Sequence, residues 1–468
     1  MPEQEYKLFE KQKKIYPQRT WGRYRKLKWF AMALLLGIYY ALPWLRWGRG
    51  EFVPDQAILI DMPARRAYFF FIEIWPQEVY YLTAILIFSA LALFMVTSLF
   101  GRVWCGYACP QTVWTDLFVW VERIVQGDRN ARLKLDRKSF FSPERLFKKA
   151  LTHLIWIVIG ICTGGAWVFY FNDAPTIWDQ IIHLDLPWSI TSWIVALTGS
   201  TYVMAGFARE QVCTYMCPYA RFQSAMFDPD TLIIGYDETR GEPRGKHKKG
   251  ASWDDRGDCI SCSQCVNVCP TGIDIRNGLQ MECIACGLCV DACNTIMDKV
   301  DRPQGLIRYD TARHFEKPTE ENKVRLMRPR VAYYLILLTL LGGLVLYGLM
   351  HRSLVELHTN HDRNPLFVLQ SDGSIRNGYT IKIMNKTHED QEYELTLEGI
   401  DDAKIKVQSV QEFSTKRLHV FANSVDHFRL FVFSHDTKER RKTITFKIRN
   451  LKNNEVTRHN SIFITRNK

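Results

Sequence analysis

Five long apolar stretches interrupt an otherwise polar chain. They contain no Asp, Glu, Lys or Arg and cover residues 29–45, 80–100, 151–171, 188–207 and 331–350. A transmembrane helix needs about 20 apolar residues, so the pattern predicts five membrane spans, of which the first is the shortest. An aromatic belt marks the far end of that first span, at Tyr39, Tyr40, Trp44 and Trp47. The lipid bilayer is therefore the first predicted partner.

Charged residues between the spans are distributed asymmetrically. Lys and Arg outnumber acidic residues in 1–28 and 101–150, whereas 172–187 contains no Lys or Arg. Because positively charged loops stay in the cytoplasm, the N-terminus, the 101–150 loop and the 208–330 segment are predicted to lie there. The 46–79 and 172–187 loops and the tail after residue 350 are predicted to lie outside.

The net charge of +12 has the same origin. Basic residues flank membrane segments, as in the approach to the fifth span, which contains Lys323, Arg325, Arg328 and Arg330. Charge in that position favours a membrane surface, so the sequence predicts no nucleic-acid partner. The basic head is long and no small-x-small site follows the first span, so we interpret that span as a retained anchor.

Beyond residue 350 the pattern changes to short alternating runs, separated by turn-forming pairs such as Asp372-Gly373 and Asn377-Gly378. About seven strands in about 100 residues are typical of an immunoglobulin-like sandwich. The predicted strands are 379–384, 393–397, 405–407, 418–421, 428–433, 443–448 and 462–465. We interpret this tail as a docking or stabilising domain. A copper-handling role would use its scattered donors, which are His351, His358, His361, Met384 and His388.

Eight of the 13 cysteines form two consecutive runs, Cys259-x2-Cys262-x2-Cys265-x3-Cys269-Pro270 and Cys283-x2-Cys286-x2-Cys289-x3-Cys293-Asn294. In this spacing three cysteines of a run wrap one cubane, and the fourth ligates the cluster of the other run. The sequence therefore predicts two [4Fe–4S] clusters. One is held by Cys259, Cys262, Cys265 and Cys293, and the other by Cys283, Cys286, Cys289 and Cys269. Zinc sites usually use paired cysteines, not triplets.

Two shorter motifs, Cys105-x3-Cys109-Pro110 and Cys213-x3-Cys217-Pro218, follow the second and fourth spans, each after an arginine, Arg102 or Arg209. Spans one–two and three–four therefore resemble two copies of one hairpin. Proline favours the first helical position, so Cys109 and Cys217 should precede helices whose dipoles, with the arginines, favour thiolates. The four thiols are open to interpretation as a Cu(I) site, a dithiol relay, a further iron–sulfur centre or packed side chains.

Three features near these motifs have simpler interpretations. Residues 113–125 form an amphipathic pattern that predicts a helix lying in the membrane interface, with its apolar face at Trp114, Leu117, Phe118, Val121 and Val125. Cys162 lies alone within the third span and is interpreted as a packing residue. His153 is interpreted as a hydrogen-bonded structural histidine, with metal ligation as the alternative.

The order of these motifs resembles the cytochrome c oxidase accessory protein family CcoG, also called FixG or RdxA. Nearly the whole chain carries the resemblance. Its residues are Ile15–Pro17, Gly101–Thr112, Cys213–Pro218, the double cluster motif with Pro270–Arg276, Gly305–Tyr309 and Arg363–Phe367.

The resemblance implies a role in assembling a cbb3-type haem–copper oxidase in a bacterial inner membrane. The implied activity is reduction of Cu(II), the substrate, to Cu(I) for copper insertion. Oxidase subunits or copper-delivery proteins, and an unidentified cytosolic electron donor, are the implied partners. Carried onto this chain, the eight cysteines of the two runs are cluster ligands, and Cys105, Cys109, Cys213 and Cys217 contact copper or relay electrons.

The expected fold class is a multi-domain membrane protein. Its parts are a basic cytoplasmic N-terminus (1–28), a four-helix membrane region (29–230), a cytoplasmic 2[4Fe–4S] ferredoxin-type segment (231–330, core 250–300), a fifth transmembrane helix (331–350) and a periplasmic sandwich (351–468). The expected function is that of a cupric reductase. Two alternatives stay open: a quinol-oxidising subunit like those that serve periplasmic nitrate or nitrous-oxide reductases, and a non-enzymatic chaperone that docks on an oxidase.

Overall fold

The computed structural model describes residues 14–50, 53–247, 253–316, 325, 327–408, 417–435 and 439–466. Residues 1–13 of the basic head, residues 250–252 of the predicted ferredoxin core and Lys323 lie outside the described residues. The chain divides into two compact units. The first contains the chain up to Leu45 and residues 56–345, and the second contains residues 46–55 and everything from 346 onward. The first four apolar helices and the cysteine-rich segment therefore share one unit.

Within the described residues, five helices are long and apolar enough to cross a membrane: Arg23–Trp44, Pro76–Phe100, Pro143–Phe169, Trp188–Ala208 and Pro329–Met350. Each overlaps a predicted span, so the prediction of five apolar helices is confirmed. The third begins earlier than predicted because Pro143, in the first helical position, starts it ahead of the apolar stretch.

The helices are numbered along the chain. They are α1 (Arg23–Ala41), α2 (Val79–Phe100), α3 (Pro110–Gln126), α4 (Arg129–Arg137), α5 (Pro143–Phe169), α6 (Ala174–Ile182), α7 (Trp188–Val203), α8 (Pro218–Ala225), α9 (Glu238–Gly241), α10 (Gln264–Val268), α11 (Leu288–Lys299), α12 (Ala312–Glu316) and α13 (Pro329–Met350).

The strands are β1 (Ile58–Asp61), β2 (Arg66–Phe69), β3 (Ile72–Ile74), β4 (Leu232–Tyr236), β5 (Ile307–Thr311), β6 (Val355–His361), β7 (Val368–Leu369), β8 (Ile375–Asn385), β9 (Gln391–Glu398), β10 (Lys404–Gln408), β11 (Arg417–Val420), β12 (Ser424–Ser434), β13 (Arg441–Asn450) and β14 (Val456–Ile464). The sheet β1-β2-β3 lies in the predicted 46–79 loop, where the sequence analysis placed no strands.

An antiparallel strand pair encloses the cysteine-rich segment. β4 precedes both cysteine runs and β5 follows them, with Ile234 opposite Tyr309 in the register. Their apolar side chains share a core with the segment's own residues, including Cys259, Cys265 and Met297. Each cysteine run contains one helix. Cys265 lies in α10, and Cys289 and Cys293 lie in α11. The N-caps of these helices, Ser263 and Gly287, both have left-handed backbone.

The tail is the predicted sandwich. One sheet has the order β10-β12-β8-β6, with β7 beside β8, and the other has the order β11-β9-β13-β14. Alternating inward side chains, such as Tyr379, Ile381 and Ile383, form one closed core between them. All seven predicted strands are present. β6 was missed because its many polar residues hide the alternation, and β7 was missed because it is only two residues long.

This core generates a stability prediction. Ile381 is fully buried in β8, whereas Ile462 in β14 is 44% exposed. Ile381→Ala should lower the free energy of unfolding of the tail by about 2–5 kcal/mol, because it leaves a cavity in a closed core. The matched Ile462→Ala should cost about 1 kcal/mol or less. Hydrogen exchange of residues 375–464 in the intact protein measures both. Equal losses would show that this core is not closed.

Candidate functional site

The two Cys-x3-Cys-Pro motifs fold into the same local structure. Each forms a π-helical turn, Trp104–Ala108 and Val212–Met216. The N–H of Cys109 donates to the Trp104 carbonyl at 2.8 Å, and the N–H of Cys217 donates to the Val212 carbonyl at 2.8 Å. Pro110 and Pro218 then begin α3 and α8, so the predicted helix starts are confirmed. π-turns are rare and occur frequently at functional sites.

The two arginines, which the sequence pairs with each other, are not equivalent. The positions with matching backbone are Gly101 (φ 61°) and Arg209 (φ 38°), each four residues before the first cysteine of its motif. Glycine adopts positive φ freely, whereas an arginine is strained there and needs its surroundings to hold it. Glu122 supplies this restraint, because its carboxylate pairs with the Arg209 guanidinium at 2.8 Å. Arg102 instead lies beside the cysteine thiols.

The structure brings the four thiols of these motifs together. Cys105 interacts electrostatically with Cys109 and Cys217, and Cys213 interacts with the other three. Burial raises the pKa of Cys105 to about 11, against the lowering effect of Arg102, and burial with the neighbouring thiols raises the pKa of Cys213 to about 12. Burial therefore outweighs the arginine at Cys105 and Cys213. The expectation of thiolates concerns Cys109 and Cys217 and stays a prediction. All 13 cysteines are free, so no disulfide links the motifs.

The first motif lies directly against the second cysteine run. A Cβ on Gly106 would stand 2.8 Å from the Ile284 carbonyl oxygen and 3.1 Å from the Cys286 Cα, so only glycine allows this approach. The Tyr107 hydroxyl donates to the Cys286 carbonyl at 3.0 Å. Arg102 donates to the Met281 carbonyl. Cys105 and Cys286 share one buried apolar cluster with Val268 and Leu288, which places the two cysteine groups side by side.

Within the two runs, the fourth cysteine of each lies with the first three of the other. Cys293 interacts electrostatically with Cys259, Cys262 and Cys265. Cys269 does so with the second group, which comprises Cys283, Cys286 and Cys289. This crossed arrangement is the one that the spacing predicts for two cubanes.

Burial of these thiols also fits a metal cluster. It raises the pKa of Cys265 to about 11 and the pKa values of Cys283 and Cys293 to about 12. Thiols this buried stay protonated at neutral pH without metal. Iron coordination would replace those protons and bring the compensating positive charge into the site. The eight residues therefore fit two [4Fe–4S] clusters.

Carboxylates attach the N-terminal segment to both cysteine groups. Asp291, in the second run, accepts hydrogen bonds from the N–H groups of Tyr24 and Arg25 at 3.2 and 2.7 Å and so caps α1. Buried Asp116 of α3 pairs with Arg25 at 2.9 Å and lies 3.9 Å from Lys28. Burial alone would raise the pKa of Asp116, but Lys28 and Arg25 outweigh it and lower that pKa. This network was not predicted from the sequence, because membrane topology alone explains a basic head.

The amphipathic pattern of α3 serves packing within the protein. Phe118 and Val121 of the predicted interface face pack against Trp156 of α5 and Ala205, with Trp114 and Val125 at the edge of this cluster. On other sides of the helix Val113, Asp116, Val119 and Glu122 are also buried. Trp120 and Ile124, which lie outside the predicted face, are exposed. The predicted apolar face therefore packs against α5, and the position of the helix in the membrane interface stays a prediction.

The remaining candidates lie apart from the thiols. Cys162 is exposed on α5, so its interpretation as a packed residue is wrong. His153 accepts or donates one hydrogen bond at 3.0 Å with the Tyr202 hydroxyl and stacks on Phe207, as a structural histidine would.

The candidate copper donors of the tail do not converge. His361 bonds Asn377 at 2.7 Å, and Met384 is buried in the sandwich. Over the described ranges, no three His, Cys, Asp or Glu side chains are grouped to hold a metal ion.

Comparisons with known proteins agree with this architecture. Residues 208–312 match the family profile of a 4Fe-4S dicluster domain, residues 82–127 match a 4Fe-4S binding domain, and residues 345–466 match the IG-like fold at the C-terminal of FixG.

Similar proteins cover most of the chain. The nitrogen fixation protein FixG of Rhizobium meliloti is 47% identical over 430 residues, which are 86% of this chain and 82% of that protein. Protein RdxB of Cereibacter sphaeroides is 45% identical over 89% of this chain and 90% of its own length. A crystal structure of a FixG-related protein from Vibrio parahaemolyticus matches 24% of this chain and 96% of its own, at 24% identity and a TM-score of 0.21.

The Gly106 contact generates a prediction about docking. Gly106→Ala should weaken the attachment of the second cysteine run by about 1–3 kcal/mol, because the new methyl group meets backbone oxygens that cannot rotate away. Hydrogen exchange of residues 283–293 should become faster. Gly199→Ala is the matched control, since a Cβ there meets nothing within 4 Å and alanine favours the helix. Unchanged exchange in Gly106→Ala would contradict the close approach.

The buried carboxylate of Glu122 generates a second prediction. Burial alone would raise its pKa, but Arg209 and Arg132 lower it, so its stabilising effect exists above about pH 4.5 and is lost as the pH falls further. Glu122→Gln should cost about 3 kcal/mol, because two buried guanidinium groups lose their counter-charge. Thermal unfolding followed from pH 7 down to about pH 2 measures the loss. Exposed Glu144→Gln should leave the melting temperature unchanged, and equal effects would refute the assignment.

Proposed function

This chain belongs to the FixG family of iron–sulfur membrane proteins, and we propose that it reduces Cu(II) to Cu(I) for the assembly of a cbb3-type cytochrome c oxidase. One observation carries the proposal. The backbone of Gly106 and the hydroxyl of Tyr107 hold the first Cys-x3-Cys-Pro motif against Cys286, a ligand of the second predicted cluster.

Both [4Fe–4S] clusters would supply one-electron transfer, which matches the single electron that separates Cu(II) from Cu(I). Cys269 and Cys293 tie the two ligand sets together. Cys286 and Cys105 pack in one apolar cluster, which keeps water out of the path between the second ligand set and the four motif thiols.

The motif thiols favour the product of this reaction. Thiolates are soft ligands that select Cu(I) over harder ions, so copper near them is easier to reduce. A cavity of about 40 Å3 lies beside Cys213, and Lys28, Asp116, Glu210 and Thr271 contribute to its walls.

We further propose that the cysteine-rich segment faces the cytoplasm and the sandwich faces the periplasm of a bacterial inner membrane. The Lys and Arg distribution supports this orientation. A cytosolic reductant would then supply the electrons, and oxidase subunits or copper-delivery proteins would take Cu(I). The sandwich is proposed as the part that docks on them, since Ig-like sheets offer open edges and loops for binding.

A second candidate function is quinol oxidation, and one cavity favours it. This cavity has a volume of about 410 Å3 and lies between α5 and the end of α7. His153, Trp156 and Phe207 line it, so it offers aromatic walls against which a quinol ring could stack. A quinol would then replace the cytosolic reductant as the electron donor.

An anaerobic assay separates these functions. Purified protein is reduced chemically, freed of reductant and mixed with Cu(II) and a Cu(I)-specific chelator. We expect Cu(I) to form as the cluster absorbance returns to its oxidised value, equally in wild type and in Cys162→Ser, which lies outside the proposed path. In a parallel arm, oxidised protein receives decylubiquinol without copper. Cluster reduction by quinol with no response to copper would replace the proposal by the second function. Binding to oxidase subunits without any cluster turnover would replace it by a docking chaperone.

A further inference from the structure

The two Cys-x3-Cys-Pro motifs are joined to each other by reciprocal side-chain bonds. Gln111, one residue after Pro110, donates to the carbonyls of Met204 and Arg209 at 2.9 and 3.1 Å, which lie at the end of the other repeat. From the second motif, Gln223 of α8 accepts from the Arg102 Nε at 3.0 Å and from the Cys105 sulfur at 3.2 Å. A glutamine of α3 therefore contacts the segment before the second motif, and a glutamine of α8 contacts the first motif.

This exchange places two helix N-termini around the same four thiols. Cys109 and Cys217 are the N-caps of α3 and α8, which contain 17 and 8 residues. Free N–H groups and the helix dipole favour negative charge at such positions. The guanidinium of Arg102 adds positive charge beside Cys105 and Cys213. The surroundings thus suit an anionic group that the four sulfurs share.

The arrangement of the sulfurs argues against a single bound ion. They are close enough to interact electrostatically, yet in the described part of the chain no three potential ligands are grouped to hold one metal ion. The eight cysteines of the two runs, which have the spacing of cubane ligands, are likewise not grouped in threes around a point where one metal ion could bind. A cubane distributes its four cysteines over four irons, so its ligands need not meet at one point.

The number of cysteines supports the same conclusion. Residues 208–312, which match the dicluster profile, contain ten cysteines, and two cubanes use eight of them. Cys213 and Cys217 remain. Residues 82–127, which match a separate 4Fe-4S binding profile, contain Cys105 and Cys109 and so supply half of a cubane's ligands. The structure places these two incomplete pairs together.

We propose that Cys105, Cys109, Cys213 and Cys217 bind a third [4Fe–4S] cluster, bridging the two membrane hairpins. The site lies next to the second predicted cluster, because Cys105 shares an apolar environment with Cys286. In this arrangement the four thiols relay electrons as cluster ligands and do not bind copper directly, so a cluster and a Cu(I) ion are competing occupants of the same sulfurs. A third cluster at the motif thiols would exchange single electrons with the two ferredoxin clusters across the Gly106 contact.

The test is metal analysis of the full-length protein, expressed in copper-depleted medium, purified anaerobically in detergent and reconstituted with iron and sulfide. Wild type and Cys162→Ser should each contain about 12 irons per chain. The variant with Cys105, Cys109, Cys213 and Cys217 all changed to Ser should contain about 8 and lose one cubane component from its Mössbauer spectrum.

About 8 irons in the wild type would overturn the proposal without any need for the variant to fold. So would about 8 irons together with one Cu(I) that is retained after copper addition and lost in the four-serine variant, since that result identifies a copper site. Cu(II) reduction is not measured in this test, so failure of the third cluster and failure of the proposed copper function give separate results.

Discussion

The arrangement of redox groups depends on the approach of Gly106 to the backbone of Ile284–Cys286. At this point the two chain segments are closer than any side chain would permit. The hydroxyl of Tyr107 and the guanidinium of Arg102 bond to carbonyls on either side, at Cys286 and Met281. Backbone groups carry much of this contact, so the distance between the two cysteine groups changes little when nearby side chains move. Electron transfer over short distances requires such a fixed separation.

Buried charge holds the rest of the site in place around this contact. Asp291 caps the N-terminus of α1, and Asp116 forms ion pairs with Arg25 and Lys28 of the same helix. Glu122 joins Arg132 of α4 to Arg209, whose strained backbone begins the second motif. Asp291 and Asp116 join the N-terminal segment to the second cysteine run and to α3, and Glu122 joins α3 to α4 and to Arg209. Their charges are therefore structural, and removing one would expose an uncompensated cation in a buried place.

Hydrophobic length and cysteine spacing predicted the largest features of the fold. Long uncharged stretches leave few alternatives to apolar helices, and turn pairs between alternating runs identified seven strands of the tail. The same reasoning was incomplete where a pattern had two physical explanations. The apolar face of α3 fits a membrane surface as well as it fits α5, and only the tertiary structure shows that Trp156 covers it. The basic head satisfied the topology rule, which concealed the pairing of Arg25 and Lys28 with Asp116. The role of Gly106 could not be predicted, because nothing in one sequence distinguishes it from other glycines.

Electrons are proposed to pass between the ferredoxin clusters and the four motif thiols across the Gly106 contact. Stopped-flow spectroscopy can follow this transfer, by mixing pre-reduced protein with Cu(II) and recording reoxidation of the ferredoxin clusters. Changing Cys105, Cys109, Cys213 and Cys217 to Ser should slow this reoxidation at least about tenfold, equivalent to about 1.4 kcal/mol in the barrier, while the ferredoxin clusters remain intact and reducible. Reoxidation at the wild-type rate in that variant would show that electrons reach copper by another route.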